Sequence, residues 1–311
     1  MIAPLFISPF NNRAKFGGGG GSAWTLGRAI KFDGVNDYVQ VNNLSGVAVD
    51  ADKFGFHVWL KLPVGWNAAS VASGATIFGT SQANGAPKLC FLNIEKNSTT
   101  SWRIDCRLYD DSGAFKRQIR KSLIPYGTYA DESILHICGF GLADETAVSG
   151  FDRQQIWING VAQNPTVIAN DSVTWLTVFG NTNYTGADRA ARFYKSLIGD
   201  LIMFGGMVLT DADAVALYGG GPSSAGNPEN SIPLSNMYLW HQYNEEPTTT
   251  ACLDSSSDGT RTGTLINFAG GGDASERPEF IPYDPDAQAW IERMTAPTTL
   301  EQNAIHTFVI A

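Results

Sequence analysis

A chain of 311 residues is long enough for one large β domain or two smaller ones. Hydrophobic residues make up 43% and charged residues only 16%, with 33 glycines, a balance that favours turn-rich β structure over a helical bundle. The formal net charge of −9 argues against a nucleic-acid partner, because phosphate binding needs clustered Lys and Arg.

Residues 1–16, MIAPLFISPFNNRAKF, read as an extended arm, and the five glycines 17–21 as a flexible joint. The arm is apolar at Ile2, Leu5, Phe6, Ile7 and Phe10. Docking on a neighbouring subunit is one expectation for it, and a disordered tail is the other. It carries no basic n-region, so no signal peptide is read there. No apolar run approaches the ~20 residues of a membrane span, so the chain is expected to be made in a cytoplasm and to be soluble there.

Strands follow from residue 28. Residues 29–33 and 38–41 are read as an opening hairpin around Asp33-Gly34-Val35-Asn36-Asp37. In KFGFHVWLKL, Phe54, Phe56, Val58, Leu60 and Leu62 fall on one face and His57, Trp59 and Lys61 on the other. That period of two marks a half-buried strand. Residues 75–80, 89–94 and 102–108 are further strands, the last two flanking a hairpin loop at 96–100. Cys90 and Cys106 are then cross-strand neighbours. The four cysteines show no metal-ligand spacing and are expected to be free thiols. The densest basic cluster, Lys116, Arg117, Arg120 and Lys121, reads as a solvated strand edge.

SILHICGFG, RQQIWINGVAQ, SVTWLTVFG and KSLIGDLIMFGG continue the series, with a tight turn at Asn159-Gly160. One segment reads as a helix, 211–218, with Thr210 as N-cap, Asp213 completing a capping box and glycines 219–221 as the stop. About a dozen strands with one short late helix and no βαβ alternation predict an all-β fold, an antiparallel sandwich. Three regions result: an arm and hinge at 1–21, a sandwich at 22–221, and an extension at 222–311. The extension has linker composition at first, a strand at MYLWHQY, and a Pro-rich end with a short helix near 287–293. It is expected to wrap the domain or reach a neighbour.

AIKFDGVNDYVQV resembles the entry hairpin of laminin-G-like (LamG, pentraxin-like) jelly rolls in the concanavalin A-like lectin/glucanase superfamily. FGFHVWLKL is similar to that family's early core strand and IWINGVAQ to its strand-then-Asn-Gly hairpin. IGDLIMFGGMVLTDADAVALY is similar to its closing strand and short helix. YLWHQYNEEPTTTACLDSSSDGTRTGTLIN is similar to a segment that in many members precedes the entry hairpin. Here it follows the helix. Either it supplies the missing strand as a circular permutation, or it is the stub of a second repeat, and the short remainder of the chain favours the first.

The resemblance implies a structural Ca²⁺ held by oxygen ligands, with Asp33 and Asp200 in the two motifs nearest such a site. Turn-capping aspartates are the other reading. The glucanase branch places its carboxylates along one strand, and nothing here matches: Glu95, Asp105 and Asp110-Asp111 are scattered, so no glycoside hydrolase is expected. Sugar binding would use ring faces. His57, Trp59, Trp157 and Asn159 point away from the apolar faces of their strands and are placed to line a groove. If the tail or a subunit covers them, they are core or interface residues instead. Trp175 lies on the Val173 and Phe179 face. LamG-like modules without signal peptides recur in tailed-phage particles as decoration proteins, head fibres or tail adhesins. The resemblance therefore implies a non-catalytic structural or adhesive virion subunit, partnered by itself, by other virion subunits and by a cell-surface glycan. A free carbohydrate-binding lectin module is the alternative.

Overall fold

The computed structural model describes residues 26–269 except 27, 51, 68–73, 82–87, 97, 110–114, 143–152, 165–177, 181, 188–192 and 244–248. The arm residues Ile2, Leu5, Phe6, Ile7 and Phe10, the glycine run, Trp175 and the helix expected near 287–293 lie outside these.

The strands in chain order are β1 (Ile30–Lys31), β2 (Tyr38–Val41), β3 (Lys53–Lys61), β4 (Gly74–Ser81), β5 (Lys88–Lys96), β6 (Ser101–Tyr109), β7 (Phe115–Pro125) and β8 (Ile134–Leu142). Then come β9 (Arg153–Ile158), β10 (Val161–Gln163), β11 (Thr182–Thr185), β12 (Leu197–Gly205) and the helix α1 (Asp211–Tyr218). The last three are β13 (Met237–His241), β14 (Ala251–Cys252) and β15 (Gly263–Ile266). They form two antiparallel sheets. One has seven strands in the order β1-β12-β3-β8-β9-β10, with β13 also on β12. The other has eight, in the order β14-β15-β2-β11-β4-β5-β6-β7.

Alternation decides what lies between the sheets. Phe54, Phe56, Val58 and Leu60 of β3 meet Leu92 and Ile94 of β5 and Trp102, Ile104 and Cys106 of β6 in one continuous core. All four cysteines are free and buried. Cys90 sits opposite Leu108 and Cys106 opposite Leu92, so the two cysteines are diagonal neighbours, not directly paired ones.

The opening hairpin is not formed. β1 pairs with β12 in the seven-stranded sheet, while β2 lies between β15 and β11 in the eight-stranded one. Ile30 and Phe32 face Val39 and Val41 across the core, so both strands bury their apolar side without touching edge to edge. The turn between them crosses from one sheet to the other. Asp33 holds it, its Oδ1 accepting from the N–H groups of Val35 at 2.7 Å and Asn36 at 3.1 Å.

The sandwich does not stop at residue 221. β13 adds to β12, and β15 pairs with β2, so the late segment contributes to both sheets. Asp254 fixes the bend between them, accepting from the N–H groups of Trp240, Ser256 and Arg261.

The helix covers the predicted residues. Thr210 Oγ1 accepts from the Asp213 N–H at 3.2 Å, and Asp213 Oδ2 accepts from the Thr210 N–H at 2.8 Å. Gly219 ends it at φ 60°, where a Cβ would lie 2.0 Å from the Ser224 carbonyl oxygen. Thr210→Ala is expected to cost about 1 kcal/mol, because the Asp213 N–H loses its acceptor and Asp213 Oδ2 loses the Thr210 hydroxyl that donates to it. Urea denaturation checks this. No helix among the described residues is long and apolar enough to cross a membrane.

Candidate functional site

The outer face of the seven-stranded sheet is closed by the chain itself. Leu209, Ala214 and Leu217 from the α1 region, Ile232 and Met237 pack on Cys138, Phe140, Trp157, Ile202 and Phe204. Trp59 is completely buried beside Leu26, Ala29 and Ala225. Trp157 stacks on Phe140 at 5.9 Å and donates from Nε1 to Asp211 Oδ1 at 2.7 Å, tying β9 to the start of α1. Asn159 holds the β9–β10 turn with φ 52°, and its Oδ1 accepts from the His136 N–H. The sugar groove expected of His57, Trp59, Trp157 and Asn159 is therefore not open: the three rings are sealed beneath α1 and the loop that follows it.

Beneath that cover runs a buried polar chain. Asp200 accepts from Trp240 Nε1 at 2.7 Å on one oxygen and contacts His57 Nε2 at 3.2 Å through the other. His57 Nδ1 in turn lies 3.1 Å from His136 Nε2. With Asp200 ionised, His57 donates from Nε2 and accepts at Nδ1 from the Nε2–H of His136. That leaves Nδ1 of His136 as an acceptor with no partner. His136 packs against Trp59 at 5.0 Å and Tyr218 of α1 at 6.2 Å, and those two rings also meet each other at 6.0 Å.

Burial, and then the neighbouring His57, push the His136 pKa well below its usual 6.5. A folded value below the unfolded one means the unfolded chain binds the extra proton first. The stability contributed by neutral His136 is thus complete above pH 6.5 and is lost as pH falls below it, by up to about 1.4 kcal/mol per pH unit. The groups packed on it are His57 and Trp59 of β3 and Tyr218 of α1, with Asp200 one step further. His136→Gln is expected to flatten the melting-temperature profile between pH 6.5 and about 5 by one proton's worth.

Asp33 and Asp200 do not form a cation site. The register Ile30↔Ile198 sends them in opposite directions, roughly 16 Å apart along the strands. Asp200 is buried and engaged by His57 and Trp240. Burial acts to raise the Asp33 pKa, but the N–H groups of Val35, Asn36 and Asp37 outweigh it and hold it below the usual range. Asp33 also borders a cleft of about 420 Å³ in which three lysines, Lys31, Lys61 and Lys195, outnumber the carboxylates Asp33 and Glu132 and disfavour a cation. Among the described residues no group of three or more His, Cys, Asp or Glu side chains is placed to hold a metal.

The outer face of the eight-stranded sheet has a different character. Its central polar side chains are themselves buried: Thr76, Asn93, Glu95 and Asp105 are at most 5% exposed. Because Cys90, Leu92 and Ile94 of β5, Ile104, Cys106 and Leu108 of β6, and Ile119 of β7 point inward, Asn93, Glu95, Arg103, Asp105, Arg107 and Arg120 point outward. Glu95 Oε2 accepts from Arg103 Nη2 at 2.5 Å and Arg107 Nη2 at 3.1 Å. Asp105 Oδ2 accepts from Arg107 Nη2 at 2.5 Å and Arg120 Nη2 at 3.2 Å. Further along the same face, Tyr38 and Tyr184 meet edge to face at 5.0 Å. Tyr184 shares a cross-strand row with Gly79 and Arg107.

The sequence reading missed this face. Its carboxylates looked scattered because Glu95 and Asp105 are ten positions apart, and only the β5–β6 register puts both on Arg107. Arg120, read as part of a solvated edge, is mostly buried against Asp105. The available signal was the alternation of Arg103, Asp105 and Arg107 with Ile104, Cys106 and Leu108.

Two antiparallel sheets face to face, one outer side closed and the other polar, make the chain an antiparallel β-sandwich. No protein-family model matches it, and no curated protein matches it. Among solved structures it is similar to a native heptameric SAP-like pentraxin from Limulus polyphemus, at 12% identity and TM-score 0.45, over 66% of this chain and 88% of that one. It is similar to tailspike protein 2 of Escherichia coli O157:H7 bacteriophage CAB120, at 12% identity and TM-score 0.41, over 71% of this chain and 30% of that one. It is also similar to the CBM40 module of a Ruminococcus gnavus IT-sialidase, at 12% identity and TM-score 0.36, over 60% of this chain and all of that one. At these identities and scores the likeness reaches no ligand and no site.

Proposed function

We propose that the chain is a non-catalytic structural and adhesive subunit of a phage particle, and that it binds a cell-surface glycan on the outer face of its eight-stranded sheet. One observation carries the binding part: the seven-stranded sheet is sealed by the chain's own helix and loop, whereas the opposite face combines a half-buried aromatic pair with a lattice of charged hydrogen-bonding groups. Rings and oriented polar groups are what a sugar needs for stacking and hydroxyl recognition.

The same geometry supports a non-catalytic reading. The histidine–carboxylate contact at His57–Asp200 has no exposure to solvent, out of reach of a substrate. Glu95 and Asp105 are both engaged by guanidiniums, which suits a fixed recognition surface better than proton transfer. The apolar arm and glycine hinge read from residues 1–21 support assembly.

Two measurements test this. Mass spectrometry of purified virions is expected to find the chain. In glycan-array binding, Tyr184→Ala is expected to weaken the signal roughly tenfold while the fold is retained. Array binding that Tyr184→Ala leaves unchanged sinks the proposed face. Glycan binding by a chain absent from particles favours the free lectin module.

A further inference from the structure

The cleft beside Asp33, about 420 Å³ in volume, lies at one end of the seven-stranded sheet. Strand register builds it. Ile30, Ile198 and Leu60 lie side by side on β1, β12 and β3 and point into the core, so the next row, Lys31, Leu197 and Lys61, points outward. Lys195 joins them from just before β12. Its stem lies against Gly34 at φ 79°, where a Cβ would come 2.4 Å from the Lys195 Cβ. Glycine therefore lets the turn and the lysine share that space.

Two of the three lysines are not neutralised. Lys61 is held by Glu132 at 2.7 Å. Asp33 turns its Oδ1 to the N–H groups of its own turn. Lys31 and Lys195, both exposed, have no carboxylate partner among the described residues. Val64 lines the same cleft and is 72% exposed. Unpaired ammonium groups beside an apolar side chain suit a segment that is both acidic and apolar.

The chain carries such a segment, and its described part ends beside the cleft. Phe32 lines the cleft, and Phe268 packs on it with ring centres 5.6 Å apart. Asn267 Nδ2 donates to the Asn36 carbonyl oxygen at 3.0 Å, which ties this end to the turn that Asp33 opens. Beyond Ala269, residues 279–286, EFIPYDPD, hold three carboxylates, three large apolar side chains and no Lys or Arg. The N-terminal arm, residues 1–16, has no carboxylate and carries Arg13 and Lys15, so the lysines repel it. Glu279 follows Ala269 by ten residues. A tether of that length reaches up to about 33 Å and gives the segment a local concentration in roughly the millimolar range. Pro282 and Pro285 reduce the conformational entropy that docking must overcome.

We propose that residues 279–286 dock in the cleft of their own chain, with the carboxylates of Glu279, Asp284 and Asp286 facing Lys31 and Lys195 and the apolar side chains covering Val64. The cleft is then the anchor of the C-terminal extension.

Zero-length carbodiimide cross-linking of the full chain, read by mass spectrometry, tests this. It is expected to join Lys31 or Lys195 to Glu279, Asp284 or Asp286. In a mixture of ¹⁵N-labelled and unlabelled chains, each link is expected to stay within one label. Chymotrypsin cleavage at Phe280 and Tyr283 is expected to be about tenfold faster in the double variant Lys31→Glu, Lys195→Glu, because the docked form protects the segment. Adding Asp284→Lys and Asp286→Lys to that variant is expected to slow cleavage again, a rescue that damage to the fold would not give. The melting temperature of each variant shows that the sandwich is intact. Links that mix the two labels place a second copy's segment in the cleft and overturn the proposal. It is equally overturned if neither lysine links to 279–286, or if cleavage is indifferent to the charge reversal or unrescued by the swap.

Discussion

Asp200→Ala is expected to destabilise the protein by about 3–5 kcal/mol, more than any other single polar substitution proposed for this chain. Asp200 is fully buried and satisfies two donors from different strands, Trp240 Nε1 on β13 and His57 Nε2 on β3. Alanine leaves both without a partner inside the protein and removes the charge that sets the histidine tautomers. Asp200→Asn is the discriminating control. Its oxygen still accepts from Trp240, and its amide donates to His57 if both histidines switch tautomer, so a loss of about 1–2 kcal/mol is expected. Chemical denaturation of the three proteins gives the ranking. If alanine and asparagine cost the same, or alanine costs under about 1 kcal/mol, the buried chain does not hold β13 to the sheet.

Trp59→Ala is expected to be equally severe for a different reason. The indole is buried on the closed face, against His136 at 5.0 Å and Tyr218 at 6.0 Å. Deleting it removes apolar area and opens a cavity under α1, at a cost of about 3–5 kcal/mol. For a sandwich of this size that corresponds to a fall in melting temperature of roughly 6–20 °C. Glycan binding per folded molecule is expected to be unchanged, because the proposed ligand face is on the other sheet. Trp59→Phe keeps a ring against His136 and removes the unpartnered indole N–H, so it is expected to lose much less. A binding loss with an intact melting temperature would restore the sugar platform to this face.

Much of the fold was legible because it rests on local periodicity. Alternation in β3, β5 and β6 marked the core residues, Asn159-Gly160 marked a hairpin, and Thr210 with Asp213 marked the start of the only α-helix among the described residues. These signals depend on neighbours within a few positions. The hairpin expected around Asp33 failed for the same reason. A turn-rich peptide between two apolar strands looks alike whether the strands pair or face each other across a core, and the partners that decide it, β12 and β15, lie far away in sequence.

The candidate site was legible only in part. The alternation in β3 and β9 put His57, Trp59 and Trp157 on the side away from the core, correctly, but which outer face is closed by the chain's own helix is a matter of where that helix and one loop pack. Nothing within β3 encodes that α1 lies above it.

The amino-acid sequence by itself determined the class of the protein, the inward face of each long strand, and the helix with its caps. Tertiary structure alone decided three things: that 237–266 completes both sheets, that the indoles and histidines are sealed, and that Glu95, Asp105 and three arginines meet on one surface. The physical reason is range. A strand's pleat and a helix's cap are set by bonds within a few residues, whereas strand order, register and the covering of a face are set by which distant apolar surfaces exclude water together.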